Sequence, residues 1–197
     1  MFGAAPACKY TTVPGWETEH EQSLLVTIAR KVQPNGRIVE IGSEYGMSAS
    51  CLAFGAFKSI EIHCVDLFPV DYRGDFMVMH DANMRLAGLG ERVKYHKGDS
   101  SEVGKAWQGG AIDLLFVDGD HSKAGVLRDI GAWLPHVKVG GIVVFHDTAA
   151  PSNKNVHALH LEVDEALAEW LAEDGHNWRE LPPVDSMRVF ERVQANS

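Results

Sequence analysis

The sequence is poor in the features that mark secreted, membrane-spanning and disulfide-linked chains. Its 197 residues include only three cysteines, Cys8, Cys51 and Cys64, an odd number without CxxC spacing. That pattern argues against a disulfide framework and indicates a reduced, cytoplasmic protein. No run approaches the ~20 apolar residues that a bilayer crossing requires, and the N-terminus lacks the basic and apolar segments of a signal peptide. We therefore expect neither membrane insertion nor secretion.

Positive charge is scarce as well. Lys and Arg number 18 against 27 Asp and Glu, which gives a formal net charge of −9. Binding to a nucleic-acid backbone depends on clustered cations that displace counterions. The charge balance therefore disfavours a nucleic-acid partner.

The remaining composition is typical of one globular domain. A hydrophobic content of 45% in 197 residues suffices for one core that buries roughly 70% of the unfolded surface. No linker, internal repeat or low-complexity tract divides the chain. We predict a single domain over residues 1–197, with an N-terminal helical segment at about residues 15–33 and a core at about residues 36–193.

Strand and helix patterns alternate along that core. Helices are predicted at Glu17–Val32, Gly46–Phe57 and Phe76–Leu86, from about Val126 to a stop at Gly140-Gly141, and at Val156–Trp170. Strands are predicted at Arg37–Ile41, Ser59–Val65, Val93–His96, Ile112–Val117 and Ile142–Phe145, and as a closing hairpin of Trp178–Leu181 and Met187–Val193 around Pro182-Pro183. This alternation, with right-handed crossovers, predicts a doubly wound α/β sheet whose ligands bind beyond the carboxyl ends of its strands.

A glycine-containing loop follows the first predicted strand. Gly42 and Gly46 are spaced GxxxG, and a helix begins at the second glycine. A dinucleotide-binding loop of the GxGxxG type requires glycine at position 44. This chain has Glu44 there, whose carboxylate repels phosphate. The loop therefore disfavours NAD or FAD and suits S-adenosylmethionine, which carries a sulfonium and an ammonium but no phosphate.

Acidic residues follow the next two strands. Asp66 is placed to accept hydrogen bonds from ribose hydroxyls, and Gly98-Asp99-Ser100 is placed to meet an adenine amino group. Each Asp by itself is equally typical of a turn or a helix cap. The ordered set favours a nucleoside cofactor.

These motifs resemble a known family. They are Val39–Ser48, Val65-Asp66, Gly98-Asp99-Ser100, Phe116–Ser122 and Gly140–Asp147. They are similar to class I S-adenosylmethionine-dependent methyltransferases, and more narrowly to the small bacterial branch related to catechol and caffeoyl-CoA O-methyltransferases. The resemblance covers about residues 15–193 and implies a Rossmann-like sheet of seven strands, the last antiparallel, with helices on both faces.

The resemblance also implies a set of cofactor contacts. Glu40, Gly42 and Ser48 would hold the methionine part of the cofactor, and Asp118 would face its sulfonium. Asp66 would bind the ribose, and Asp99 and Ser100 would bind the adenine. Ser43, Tyr45 and Gly46 would complete the loop beside the cofactor.

Two aspartates that end neighbouring strands suggest a metal. Asp118 and Asp147 follow the fourth and fifth strands, which would lie ~4.8 Å apart, so their carboxylates could share one cation. The catechol-type relatives use an Asp and an Asp-Asn pair, whereas this chain offers Asp118 with His146-Asp147. Because imidazole suits Mn, Fe, Co or Zn better than Mg, a different metal or none stays open. Strand alternation puts His146 and Asp147 on opposite faces, so that only one of them would face the ligand.

His121 is the candidate general base. It follows Asp118 by three residues, where the relatives carry a catalytic Lys, and an ordinary His titrates near neutral pH. A merely solvated loop histidine is the alternative. Asp120 is expected to cap the helix at Ser122, and His157 and His160 are expected at the surface or behind the site.

The sequence thus predicts an O-methyltransferase acting on a small hydroxylated molecule such as a sugar, polyketide or phenolic. Selectivity would come from Leu67–Asp75, Ala149–Asn155 and the segment around Trp16. The alternatives are a nucleotide-dependent oxidoreductase or sugar-modifying enzyme on the same fold, and a cofactor-binding protein without catalysis. A homodimer formed through the N-terminal helix is expected from the prevalence of such assemblies.

Overall fold

A computed structural model describes residues 9–154, residue 156 and residues 158–194 of the chain. Cys8 and His157 lie outside the described residues. Within them the helices are Glu19–Ala29 (α1), Met47–Gly55 (α2), Phe76–Leu86 (α3), Ser100–Lys105 (α4), Lys123–Trp133 (α5) and Ala158–Asp174 (α6). The strands are Ile38–Ile41 (β1), Ile62–Asp66 (β2), Val70–Asp71 (β3), Gly74–Asp75 (β4), Val93–Lys97 (β5), Ile112–Val117 (β6), Val137–Phe145 (β7), Trp178–Val184 (β8) and Met187–Arg192 (β9).

Seven strands form one sheet in the order β5-β2-β1-β6-β7-β9-β8, and β3 and β4 form a small separate hairpin. The pairs β1–β2, β1–β6, β2–β5 and β6–β7 are parallel. β9 runs antiparallel to both β7 and β8. This confirms the predicted doubly wound sheet and its antiparallel last strand.

Helices cover both faces of the sheet, as predicted. Successive residues of a strand point to opposite faces, so Ile38 packs with α1 and α2 on one side, whereas Val39 packs with α5 and α6 on the other. The central strands are buried on both sides, which explains the nearly continuous apolar run in β6.

Two boundary predictions were wrong. Gly140-Gly141 does not end a helix: α5 ends at Trp133, a turn of 3₁₀ helix at Leu134–His136 follows, and both glycines lie inside β7. A register shift between β6 and β7 accommodates them. Likewise Pro182-Pro183 lies inside β8, at an irregularity in its pairing with β9, and the hairpin turns at Asp185-Ser186 instead.

The short helix α4 was not predicted from the sequence, and it begins immediately after Asp99. Among the described residues, no helix has the length and apolar character to cross a membrane.

Candidate functional site

The carboxyl ends of the parallel strands meet at one edge of the sheet, and backbone hydrogen bonds continue there past the strands themselves. The Gly42 N–H donates to the Val65 carbonyl at 2.9 Å, and the Asp118 N–H donates to the Ile41 carbonyl at 2.9 Å. The His146 N–H donates to the Val117 carbonyl at 3.1 Å. The loops after β1, β2, β6 and β7 are therefore held side by side, where the sequence predicted the ligand.

The loop Gly42–Gly46 requires glycine for steric reasons. Gly42 has φ +79°, and a Cβ built there would lie 2.0 Å from the Asp118 carbonyl oxygen. The loops after β1 and β6 thus cross in contact, which no side chain at position 42 would permit. Gly46 has φ +93° and directly precedes α2.

Asp66 fastens this loop to β2. Its Oδ2 accepts hydrogen bonds from the backbone N–H of Ser43 at 2.8 Å and of Glu44 at 3.1 Å. Its Oδ1 accepts from the Phe68 N–H at 2.7 Å. The carboxylate is half-buried and keeps capacity to accept a further hydrogen bond on Oδ1, since each carboxylate oxygen has two acceptor positions.

The residues predicted to meet adenine have structural partners. Asp99 caps α4, where its Oδ1 accepts from the Glu102 N–H at 3.1 Å and from the Ser101 hydroxyl at 2.7 Å. The Ser100 hydroxyl donates to the buried carboxyl of Asp129 at 2.5 Å. In this structure Asp99 therefore makes the contacts of a helix cap, which is one of the two roles that the sequence allowed for it.

Glu40 lies beneath the loop and is fully buried. Its Oε2 accepts a hydrogen bond from the Ser43 hydroxyl at 2.5 Å, and burial raises its pKa to about 7. A second buried carboxyl, Glu17, has its pKa raised to about 7 by burial, and the Ser48 hydroxyl lies near both carboxyl groups. Sequence reasoning missed Glu17, which carries no motif.

Asp118, His121 and Asp147 converge at the ends of β6 and β7. His121 Nε2 lies 3.2 Å from Asp118 Oδ1 and 3.3 Å from Asp147 Oδ2. One possible ligand atom from each residue lies within 4.8 Å of the others. All three side chains are partly exposed, so a substrate can reach them.

His146 lies behind this group, away from solvent. Its Nδ1 is 3.0 Å from Asp118 Oδ1, and its Nε2 is 3.5 Å from Glu21 Oε1 on α1. Its side chain is 5% exposed. His146 Nδ1 also lies 3.8 Å from Asp147 Oδ1. His121 thus contacts both aspartates from the partly exposed side, whereas His146 approaches them from the buried side, and the chain turns between strand and loop at Asp147, which has φ +51°.

His160 lies behind the same group, as expected of it. Its Nε2 is 3.3 Å from Asp147 Oδ1, and its side chain is 6% exposed. Asp120 accepts a hydrogen bond from the Ser122 N–H at 2.9 Å, while the Ser122 hydroxyl itself accepts from the Gly125 N–H and caps α5. The predicted cap thus belongs to Ser122 with Asp120 beside it.

Neighbouring charges determine the protonation of these groups. Burial raises the pKa of Asp118, but the adjacent His146 and His121 outweigh it and lower the value to about 2. The hydrogen bond that His121 donates to Asp118 raises the pKa of His121 above its ordinary value. His146 has its pKa lowered by burial but raised more by Asp118 and Glu21, so that it is an imidazolium between two carboxylates.

Glu21 is the second functional neighbour that sequence reasoning missed. It completes the capping box of α1 with Thr18, and its Oε1 also accepts from the Ser186 N–H at 2.9 Å. A capping box is visible in a sequence, but nothing in it indicates a partner on the last hairpin.

Exposed apolar side chains surround the loop. Trp16 is 61%, Leu67 64% and Tyr72 85% exposed. The Trp16 indole N–H donates to Glu44 Oε2 at 3.1 Å, and Arg73 lies 3.9 Å from Glu44 Oε1. Two of the segments predicted to select the substrate, the one around Trp16 and the one at Leu67–Asp75, thus contact the loop through Trp16 and Arg73.

Comparisons with known proteins identify the family of this chain. The family model described as a methyltransferase domain matches residues 39–148, more than half of the chain. The chain is 29% identical over 119 residues to the uncharacterized protein y4gI of Sinorhizobium fredii. That match covers 57% of this chain but 13% of the relative, which is much longer.

Solved structures share the fold at low sequence identity. An O-methyltransferase from Bacillus cereus in complex with SAH has a TM-score of 0.70 and 17% identity, over 92% of this chain and 84% of that one. The SAH-bound methyltransferase PaMTH1 of Podospora anserina has a TM-score of 0.70 and 19% identity, over 90% and 80%. TomG of Streptomyces achromogenes, an O-methyltransferase solved with SAM, has a TM-score of 0.69 and 18% identity, over 90% and 82%.

Proposed function

This chain belongs to the methyltransferase-domain family, and from that premise we propose that it transfers the methyl group of S-adenosylmethionine to a hydroxyl oxygen of a small molecule. The observation that carries the proposal is the convergence of Asp118, His121 and Asp147 beside the Gly42–Gly46 loop. In class I folds this edge of the sheet is where cofactor and acceptor meet.

The charges around the loop support a cationic cofactor. Glu44, Asp66 and Asp118 lie at the loop, while Arg73 is paired with Glu44 and Asp71, and His146 is paired with Asp118 from the buried side. Such a site complements the ammonium and sulfonium of S-adenosylmethionine and repels a pyrophosphate. We propose that Asp66 accepts from the ribose hydroxyls and that Asp118 faces the positive end of the cofactor.

His121 is suited to remove the proton of the acceptor. With its Nε2–H donated to Asp118, its Nδ1 is left as the basic atom, as in other carboxylate–histidine pairs. The acceptor oxygen attacks the methyl carbon in line, the carbon–sulfur bond breaks, and the hydroxyl proton passes to His121 Nδ1. The products are a methyl ether and S-adenosylhomocysteine.

The same residues fit a divalent cation. Two carboxylates and one imidazole with exposed coordination positions are a donor set suited to Mn, Fe or Zn more than to Mg. As the alternative to the base mechanism, we propose that Asp118, His121 and Asp147 would hold such an ion, with His121 as a ligand and not as the base, and that the ion would acidify the acceptor hydroxyl. If activity were retained after exhaustive EDTA treatment, a role of the ion in the mechanism would be excluded.

The acceptor is proposed to carry an apolar or aromatic surface beside its hydroxyl. Trp16, Leu67 and Tyr72 are exposed at the mouth of the site. An acceptor with an apolar or aromatic surface would bury these side chains and remove their apolar surface from water. Among the hydroxylated classes, this favours a phenolic or polyketide over a sugar.

Calorimetry on the purified protein tests the cofactor. We expect S-adenosylhomocysteine to bind and NAD not to bind, and the reverse would overturn the proposal in favour of an oxidoreductase. A screen of hydroxylated acceptors, followed by release of S-adenosylhomocysteine, tests the reaction. Cofactor binding without turnover on any acceptor would support a non-catalytic role.

A further inference from the structure

A second cluster of side chains lies beneath the Gly42–Gly46 loop and takes no part in the methyl transfer proposed above. Glu40 on β1, Cys64 on β2 and His80 on α3 each offer one ligand atom, and these atoms lie within 4.8 Å of one another. All three residues are 0% exposed. Since they come from three separate elements, the fold brings them together.

Two atoms of these side chains lack a hydrogen-bond partner in the part of the chain that the structure describes. They are Glu40 Oε1 and His80 Nε2. The Ser48 hydroxyl and the Cys64 thiol lie near the Glu40 carboxyl but make no hydrogen bond of normal geometry to Oε1. Buried polar atoms are rarely left unpaired because the loss of water is uncompensated. Two such atoms within reach of each other indicate a bound group.

The opposite atoms of the same side chains are held in place. His80 Nδ1 lies 3.0 Å from the Tyr95 hydroxyl, and Glu40 Oε2 accepts from the Ser43 hydroxyl at 2.5 Å. Metal-binding histidines and carboxylates have such partners, which fix the ring orientation and leave the other atom as ligand. With the Nδ1–H donated to Tyr95, the lone pair of His80 Nε2 is available.

We propose that Glu40, Cys64 and His80 bind one Zn²⁺ that fastens β1, β2 and α3 beneath the loop. Thiolate, imidazole and carboxylate are all zinc ligands. The thiolate and carboxylate together balance the charge of the ion, and binding releases the thiol proton of Cys64. In a tetrahedral site with bonds of about 2.0–2.3 Å, ligand atoms lie about 3.3–3.5 Å apart. From separations of at most 4.8 Å, the three atoms need to close by at most about 1.5 Å, and a water completes the fourth position.

The site is structural, because it is closed to solvent and lies next to the loop. A Cβ built on Gly46 would lie 2.9 Å from His80 Nε2, so the ligand His80 packs against the residue that directly precedes α2. The group formed by Asp118, His121 and Asp147 is separate from it and partly exposed.

Metal analysis of the untagged full chain tests this proposal without any measurement of methyl transfer. Protein expressed with added zinc, then treated with EDTA to strip any ion from the exposed group and desalted, is expected to retain about one Zn²⁺ per chain in the buried cluster. Cys64→Ala and His80→Gln are each expected to lower that content at least tenfold. Asp147→Asn, which alters only the exposed group, is expected to keep it.

Cys51→Ala is the matched control, because Cys51 is also a buried cysteine and lies outside the cluster. We expect it to retain its zinc. Zinc-free wild type, even after refolding with zinc, would overturn the proposal and indicate that a water joins the two unpaired atoms. Equal zinc content in wild type and Cys64→Ala would overturn it too, since the ion would then lie elsewhere.

Cobalt substitution of the wild type covers the case in which the variants do not fold. Co²⁺ in the proposed site is expected to give the visible bands of a tetrahedral ion together with a thiolate-to-cobalt charge-transfer band. Their absence from stoichiometrically loaded protein would exclude Cys64 as a ligand. Zinc is also expected to raise the melting temperature by about 5–10 °C, whether or not the protein binds S-adenosylhomocysteine.

Discussion

Replacing Gly42 by alanine should damage both the stability of the protein and its cofactor site. Gly42 has φ +79°, and its missing Cβ would lie 2.0 Å from the Asp118 carbonyl oxygen. Gly88 offers a matched control: it has φ +72°, but a Cβ there would meet nothing within 4 Å. The two substitutions share the backbone strain and differ in the steric overlap.

The expected magnitudes follow from those two contributions. The left-handed backbone costs an alanine about 1–2 kcal/mol, and the loss of unfolded-state freedom returns about 0.4–1 kcal/mol. Gly88→Ala should therefore lower the free energy of unfolding by about 1 kcal/mol. In Gly42→Ala the loops after β1 and β6 must also separate, which adds about 1–3 kcal/mol.

Urea titrations followed by tryptophan fluorescence measure both free energies of unfolding, and calorimetry measures the affinity for S-adenosylhomocysteine. We expect Gly42→Ala to lose at least 1 kcal/mol more than Gly88→Ala and to bind S-adenosylhomocysteine more weakly, because Asp118 moves with its backbone. Equal losses of stability in the two variants would refute the contact between the loops.

Three further substitutions test other parts of the site. His121→Ala should lower kcat of the proposed methyl transfer by a factor of about 10²–10⁴ with little change in cofactor affinity. In the wild type, kcat/KM should rise with pH through a value above the ordinary His pKa, because Asp118 raises the pKa of His121. Unchanged turnover of His121→Ala would exclude His121 as the base. Asp99→Ala should cost about 1 kcal/mol in a urea titration, because α4 loses its N-cap, and an unaltered midpoint would contradict that role. Burial raises the pKa of Glu17 from 4.5 to about 7, so the folded protein holds a proton that the unfolded chain releases, and wild-type stability should fall between these pH values. Glu17→Gln should show a smaller fall over that range in parallel urea titrations, and identical slopes would contradict the shifted pKa.

Most of the fold could be predicted because it depends on local patterns. The run Ile112–Val117 is short and β-rich, is apolar apart from Asp113 and ends at Asp118, and it forms β6 with those same bounds. Helix α3 likewise occupies Phe76–Leu86, as its periodicity indicates. The errors arose at Gly140-Gly141 and Pro182-Pro183, where residues that usually end elements are tolerated at irregular strand pairings.

The candidate site was predictable only as far as its position. Residues that follow parallel strands must meet at one edge, so the sequence could bring Asp118 and Asp147 together. It could not decide that His121 joins them and that His146 turns toward Glu21. That choice depends on the direction of each side chain after the strand has ended, where alternation no longer applies.

The sequence by itself determined the order of elements, the acidic glycine loop and the edge of the sheet where the chemistry lies, because each is encoded in neighbouring residues. The tertiary structure alone decided which buried polar groups meet. Glu21 binds Ser186 across 165 residues of sequence, and Glu40, Cys64 and His80 converge from three elements. Contacts of this kind arise from the packing of one element on another, which no local pattern in a single sequence records.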